Sequence, residues 1–382
     1  MVKCSKCTKQ IELDHFQYWG KRCLIIVEIY KYLFDIIING YDPVKHDELF
    51  HSFDGRTLLS CSKRVLLSKK ISGLNKSKLN LLLKNDDNFK SAIKEKKRKI
   101  YCLLTIISQV NVIKSILVNG PDRLEKIDAI LKYKFKNLFN ESRLLTEIEK
   151  IALHIFDYDH FSRNGTWNTS KLKNKLSIKS CLYCNLQSLD KAHSLDHFLN
   201  QENFPYFSVS LYNLIPSCFS CNTGFKLSKT FSIQSHIHPY FKDYLNDYNF
   251  ALGRLNPLRD SSNNPQYYFF VDLKNCMSNK EKKIVKNSLG TFRILSRSRR
   301  FQKLFDPVVK ILWDYDEEGL KSIIMMIKNF GGSLTVEEVY EYLFSKSSNS
   351  SMFSESIYSR MTFDVVKSEG KLDLISKIVS GA

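Results

Sequence analysis

The sequence predicts an α+β protein that is mainly helical and that contains a small module stabilised by a metal ion. Three observations lead to this prediction. Apolar residues recur at helical spacing through much of residues 1–160. Two Cys-x-x-Cys pairs follow, Cys181 with Cys184 and Cys218 with Cys221. Beyond them, the segment Tyr267–Leu273 predicts a strand, and the chain then returns to helical patterns.

The first long helix is predicted over Cys23–Ile38, where Glu28, Lys31 and Asp35 form one polar stripe at helical spacing. A second apolar stretch, Ile100–Val118, is interrupted by polar residues. Because neither stretch is an uninterrupted apolar span, both are predicted to be buried or amphipathic helices, and no membrane segment is expected.

Turn signals divide the chain into three predicted domains. The run Asn119–Asp122 ends one helix, and Arg123–Phe139 predicts the next. The polar segment Phe161–Thr166 marks a boundary. We therefore expect a helical N-terminal domain over residues 1–160, the metal-stabilised module over residues 161–245, and a basic, mainly helical C-terminal domain over residues 246–382.

Two features of the C-terminal domain have specific structural expectations. Thr335 and Glu338 have the spacing of a capping box, which predicts that a helix begins there. The serine-rich segment Ser345–Ser354 predicts a flexible loop.

The charge balance suggests a polyanionic partner. Lys and Arg number 58 against 39 Asp and Glu, which gives a formal net charge of +19. Such a charge favours nucleic acid through counterion release, although lysine-rich chains also occur for solubility. No secretory leader is evident, so a cytoplasmic protein with reduced cysteines is expected.

The two cysteine pairs are the strongest chemical signal in the sequence. Two residues between the members of each pair let four sulfurs converge on one ion, which predicts a closed tetrahedral zinc site. Because four thiolates leave no position for water, this zinc is expected to be structural. The alternative is four buried cysteines without metal.

Polar residues between and after the pairs have a specific order. Asp196 and His197 are adjacent, Asn213 precedes the second pair, Asn222 follows Cys221 directly, and Lys226 comes soon after. In this order the chain resembles the HNH, or ββα-metal, endonuclease family, in the variant with two Cys-x-x-Cys turns. The runs Leu211–Cys218 and His238–Tyr240 resemble HNH proteins of bacterial anti-phage defence systems.

This resemblance implies hydrolysis of phosphodiester bonds, in DNA more than in RNA, to a 5′-phosphate and a 3′-hydroxyl. His197 would be the general base, since imidazole accepts a proton near neutral pH. Asp196 and Asn222 would be oxygen ligands, which suit Mg²⁺ or Mn²⁺ rather than zinc. Asn213 would hydrogen-bond across the loop, or be an ordinary turn residue. Lys226 would contact a phosphate, or be one of many surface lysines.

Several questions stay open at this stage. The family commonly has Pro where this chain has Asn200, which puts the loop geometry in doubt. His193 is either a substrate contact or a surface histidine. Cys4 and Cys7, with His15 and Cys23, leave a second metal site open.

The alternatives to this nuclease are a non-catalytic zinc-knuckle protein that binds nucleic acid, a stand-alone or homing-type HNH nuclease, and a zinc-stabilised scaffold protein. An ATPase partner that delivers or activates the nuclease is a further expectation.

Overall fold

The computed structural model describes residues 8–39, 90–134, 151–153, 155–163, 167–189, 194–241, 247–331 and 334–381. Over these residues the protein is mainly helical, with two small antiparallel sheets, and the predicted α+β class is confirmed. It forms two compact units. We call Lys9–Asn168 with Gln201–Asn213 the helical unit, and Met1–Thr8, Thr169–Asn200 and Leu214–Ala382 the hairpin unit. The division into three domains near residues 160 and 245 stays a prediction.

In the described part of the helical unit, residues 151–153 are helical, and five other helices and two short 3₁₀ turns have defined bounds. They are α1 (Lys9–Asn39), α2 (Lys90–Ile107), α3 (Val110–Val118), α4 (Pro121–Lys134), α5 (Tyr158–Arg163), and the turns Pro205–Phe207 and Leu211–Asn213.

The predicted first helix, Cys23–Ile38, lies inside α1. The stretch Ile100–Val118 is split between α2 and α3, because Gln109 has extended backbone angles and begins a new helix. Pro121 begins α4, where its missing N–H costs no hydrogen bond.

Aromatic and apolar residues fill the core of the helical unit. Trp19 is fully buried against Phe161, with ring centroids 5.5 Å apart. Phe161 lies in α5, so this part of the predicted polar turn is helical. On the polar side of α1, Gln10 donates a hydrogen bond to Asp14, and Arg22 donates one to Asp157. Helix α1 also packs against α2 and α3 within this unit.

A membrane-spanning element is not evident in the described residues. No single helix there has both the length and the apolar character to cross a bilayer. One bent pair, Ile100–Ile107 with Val110–Val118 at 76°, passes the same test of length and composition when its two helices are taken together.

The hairpin unit contains both sheets and the C-terminal helices. Its elements are α6 (Thr169–Leu176), β1 (Ser194–His197), β2 (Leu214–Ser217), a π-helical turn (Ser220–Lys226), β3 (Tyr248–Arg259), β4 (Pro265–Leu273), α7 (Asn279–Thr291), α8 (Ile294–Ser298), a 3₁₀ turn (Arg299–Phe301), α9 (Gln302–Asp314), α10 (Glu317–Gly331), α11 (Val336–Phe344), a 3₁₀ turn (Ser350–Glu355), α12 (Ser359–Ser368) and α13 (Lys371–Ser380).

The predicted strand Tyr267–Leu273 forms most of β4, which pairs antiparallel with β3. Helix α12 packs against β3 and contains a buried ion pair. In this pair, Arg360 Nε donates to Asp364 Oδ2 at 2.7 Å. Arg360 also donates to the carbonyl of Tyr248 at 2.8 Å, and Asp364 accepts from the backbone of Phe250 at 3.2 Å. Both charges are therefore satisfied by strand backbone as well as by each other.

The predicted capping box at Thr335 and Glu338 is present, with both reciprocal hydrogen bonds. The serine-rich segment that follows is less loop-like than the sequence indicates. Phe353 in it is buried, and its carbonyl oxygen accepts hydrogen bonds from Ser180 and Asn185. The C-terminal end of the chain thus packs against the segment that carries the first cysteine pair, within the same unit.

Candidate metal centre and the adjoining hairpin

The first cysteine pair lies in a tight turn closed by backbone hydrogen bonds. The amide of Asn185 donates to the carbonyl of Cys181 at 2.7 Å, and the amide of Leu186 donates to Cys184 Sγ at 3.4 Å. Asn185 has a φ of 53°, which asparagine tolerates better than most residues. Its side chain donates to Ser180, Phe353 and Ser356, as a further anchor for the turn.

The second pair lies where β2 leads into the π-helical turn. The amides of Cys221 and Asn222 both donate to the carbonyl of Cys218, at 3.1 Å and 3.0 Å. This arrangement turns the chain sharply after the strand. It points Cys221 inward, fully buried, and leaves Phe219 exposed.

The four cysteines converge on one point, as their spacing predicts. Their sulfurs all lie within 4.8 Å of one another, all four residues are buried, and none forms a disulfide. Cys184 Sγ and Cys218 Sγ are 3.9 Å apart. A tetrahedral zinc ion with Zn–S bonds of about 2.3 Å separates its sulfurs by about 3.8 Å. The cluster therefore fits a metal ion such as zinc.

The chemistry of the cluster also favours a cation. Burial raises the pKa of the Cys181 thiol well above its usual range, because a desolvated thiolate is costly and the neighbouring sulfurs add to that cost. Four ionised sulfurs at this position therefore need a positive partner. A divalent metal supplies it.

The hairpin that carries Asp196 and His197 is paired with the strand that leads to the second cysteine pair. In β1 and β2, Asp196 pairs with Ile215 and His197 with Leu214. Asn222 Nδ2 donates to Ser194 Oγ at 2.8 Å, which ties the π-helical turn to the first residue of β1. His197 is half-buried at the last position of β1.

Asp196 is buried and both of its carboxylate oxygens accept hydrogen bonds. The hydroxyl of Tyr183 donates to Oδ2 at 2.5 Å, and Lys226 Nζ lies 3.2 Å from Oδ1. Burial and the charge of Asp196 raise the pKa of Tyr183, so its hydroxyl keeps the proton that it donates. The residue that links the cysteine cluster to Asp196 is thus Tyr183, between the two cysteines of the first pair.

Lys226 is a buried lysine rather than a surface one. It is 1% exposed, and Nζ donates to the carbonyl of His197 at 2.6 Å as well as to Asp196. Its ammonium also lies 5.2 Å from the ring centroid of Phe231. These contacts favour a bracing role for Lys226, and its contact with a phosphate stays a prediction.

Asn213 lies in the helical unit, in the loop that connects β1 to β2. It is 1% exposed, and Nδ2 donates to the carbonyl of Phe207 at 3.0 Å, so the bond spans part of that loop. Asn200, where the family commonly has Pro, is buried at the end of β1. Its Nδ2 donates to the carbonyl of Ser228 at 3.2 Å, so a side-chain bond fixes the backbone there.

The other histidines and cysteines have different surroundings. His238 is buried, accepts from the amide of Tyr240 and packs on Phe198, which fits a bracing role. His15 contacts protein through both ring nitrogens, with Trp167 at 3.0 Å and the carbonyl of Val209 at 2.7 Å. It therefore has no nitrogen left for a metal. Cys23 donates to the carbonyl of Ile155. Cys4, Cys7 and His193 lie outside the described residues.

Comparisons with known proteins give a single partial similarity to report. No family model matches the chain, and no solved structure matches it. A region of 67 residues, 17% of this chain, is 37% identical to protein ea31 of Escherichia phage lambda. The matched region spans 22% of that phage protein, so it is a minor part of both chains.

Proposed function

We propose that the chain is a metal-dependent endonuclease of the HNH type that hydrolyses phosphodiester bonds in DNA. The observation that carries the proposal is the 2.8 Å hydrogen bond between Asn222 and Ser194. It joins the turn after the second cysteine pair to the strand that contains Asp196 and His197. The three residue types that HNH chemistry requires therefore belong to one small hairpin and turn.

Each residue has a definite task in this proposal. His197 removes a proton from the attacking water, because imidazole can accept it near neutral pH. Asp196 and Asn222 would hold a divalent cation through oxygen atoms. Asn222 uses its amide nitrogen in the bond to Ser194, which leaves Oδ1 as the atom that would bind the cation. A bound Mg²⁺ supplies Lewis-acid stabilisation of the charge on the phosphate oxygens.

Charge supports nucleic acid as the partner. The chain has a formal net charge of +19. Helix α7 buries Ile284, Val285 and Leu289 and exposes Lys280, Lys283 and Lys286 at helical spacing on its other side. A row of exposed lysines suits the phosphate backbone, whose contacts carry affinity but no sequence information.

A second candidate is a zinc-knuckle protein that binds nucleic acid without cutting it. One observation favours it: both oxygens of Asp196 already have donors, Tyr183 and Lys226. In this candidate, Asp196 is part of a buried structural network. In the nuclease, a divalent cation would take the place of the Lys226 ammonium at Oδ1 of Asp196.

The test is plasmid cleavage in the presence of Mg²⁺ by the zinc-loaded protein, with His197→Ala and a matched histidine variant, His160→Ala. Loss of a general base lowers the rate by about 10²- to 10⁴-fold. We expect that loss for His197→Ala, and no loss for His160→Ala, which lies in the helical unit beside Trp19.

Each other outcome has its own meaning. Equal nicking by wild type and His197→Ala would remove His197 as the base. The second candidate would be favoured if the protein binds plasmid but does not cleave it with any divalent cation. The same holds only if an ATPase encoded beside the gene, when added, does not restore cleavage. Neither binding nor cleavage at low salt would reject both. A role in anti-phage defence belongs to the same proposal, and phage plaque counts on cells that express wild type or His197→Ala test it.

A further inference from the structure

The guanidinium of Arg297 lies beside the cysteine cluster in the interior of the hairpin unit. Arg297 is 8% exposed, and Nη1 lies 3.3 Å from Cys221 Sγ. We propose that Arg297 is a positioning residue of the metal centre: it donates a hydrogen bond to the Cys221 thiolate and offsets part of the negative charge of the metal–sulfur cluster. This inference rests on the four-cysteine cluster alone and is independent of nuclease activity.

Electrostatics gives the reason for such a residue. Four thiolates around a divalent zinc ion leave two net negative charges. Burial of that charge without a counterion is costly. One arginine within hydrogen-bonding distance of a ligand sulfur halves the net charge. Arginine suits the position because it stays protonated and is less strongly hydrated than lysine.

Surrounding groups hold the guanidinium in place. Nη1 also donates to the carbonyl of Phe292 at 3.3 Å, and the guanidinium carbon lies 4.9 Å from the ring centroid of Phe225. Phe292 is itself fixed to the first cysteine turn, since its ring stacks on Tyr183 with centroids 4.4 Å apart. Arg297 therefore contacts the second cysteine turn directly, and Phe292, whose carbonyl accepts its other hydrogen bond, packs on the first.

The chain contains a matched control. Arg293 lies one helical turn earlier, with its guanidinium carbon 5.8 Å from the centroid of the same Phe225 ring. Its side chain is exposed, and within the described residues it makes no hydrogen bond to sulfur. Arg293 shares the cation–π contact but not the thiolate contact.

The first measurement is zinc affinity by chelator competition on the full-length protein. Outer groups that hydrogen-bond to metal ligands typically contribute about 10- to 100-fold to affinity. We expect Arg297→Met to weaken zinc binding by that factor. Arg297→Lys, which keeps the charge, should recover most of the loss, and Arg293→Met should bind as the wild type does.

The second measurement separates this role from packing. With Co²⁺ in place of zinc, the sulfur-to-cobalt charge-transfer absorption reports the electron density on the thiolates. Loss of an N–H···S bond makes Cys221 more electron-rich, so the band should move to lower energy in Arg297→Met and by less in Arg297→Lys.

Wild-type affinity and an unshifted band in Arg297→Met would overturn the proposal. If that variant does not fold, Arg297→Gln, which keeps a polar side chain but loses the positive charge, decides the matter: wild-type zinc affinity in a folded Arg297→Gln would also overturn the proposal.

Discussion

Replacement of Lys226 by Met should destabilise the hairpin unit strongly. Lys226 Nζ is 3.2 Å from Asp196 Oδ1, and the two side chains are 2% and 4% exposed. Removal of the ammonium leaves a buried carboxylate whose remaining hydrogen-bond donor among the described residues is the hydroxyl of Tyr183. Loss of one partner of a buried ion pair costs about 3–5 kcal/mol, because the other charge stays desolvated and uncompensated.

The assay is urea unfolding of the zinc-loaded protein, followed by circular dichroism. The matched control is Lys377→Met, whose partner Glu317 is 3.5 Å away in a pair with side chains 56% and 58% exposed. An exposed pair contributes about 0–1 kcal/mol. A variant with both Lys226→Met and Asp196→Asn should lose less than the sum of the single variants, since no unpaired charge is then buried. A cost below about 1 kcal/mol for Lys226→Met would contradict this reasoning.

Tyr183→Phe removes the other donor to Asp196 and should cost about 1.5–3 kcal/mol in the urea assay, and an unchanged midpoint would count against that bond. Burial lowers the pKa of His15 from 6.5 to about 4. The folded state therefore resists protonation of His15, so its contribution to stability is full above pH 6.5 and is lost as the pH falls toward 4. The loss is about 3 kcal/mol. The total fall in the free energy of unfolding between pH 6.5 and pH 4 should therefore be smaller by this amount in His15→Gln than in wild type. A zinc chelator should lower the thermal midpoint and release a single zinc ion per chain; no zinc release, or an unchanged midpoint after release, would contradict a structural metal.

Local spacing made part of this structure predictable. The convergence of Cys181, Cys184, Cys218 and Cys221 follows from two matched pairs, because the geometry of each Cys-x-x-Cys turn is set within a few residues. The capping box at Thr335 is equally local. The same holds for α1 and β4, whose existence was predicted and whose ends the sequence placed only in part.

Contacts between distant segments were not predictable in this way. Cys221 and Arg297 are separated by 76 positions, and Arg297 lies in a basic stretch where nothing in the sequence distinguishes it from Arg293 or Arg299. Strand β3 escaped prediction because it contains Gly253 and Pro257, two residues that weaken strand patterns.

The surroundings of Asp196 show the same limit at the candidate site. Adjacent acidic and imidazole side chains indicate metal-assisted hydrolysis, and that order of residues is visible in the sequence. The burial of Lys226 is not visible there, because it depends on how the π-helical turn packs against β1. For Tyr183, the sequence offers one indication of a role at the site: it lies between Cys181 and Cys184, the members of the first cysteine pair. That position does not predict the hydrogen bond to Asp196.

In the proposed nuclease, two metals would have two roles: zinc in the cysteine cluster would fix the shape of the module, and a different cation at Asp196 and Asn222 would support cleavage. The direct test is a Mg²⁺ titration of the zinc-loaded protein, with plasmid cleavage and bound zinc measured in the same samples. We expect cleavage to rise from none as Mg²⁺ is added, while bound zinc stays constant at a single ion per chain. Cleavage at full rate by the zinc-loaded protein without Mg²⁺, or loss of zinc as cleavage rises, would contradict it.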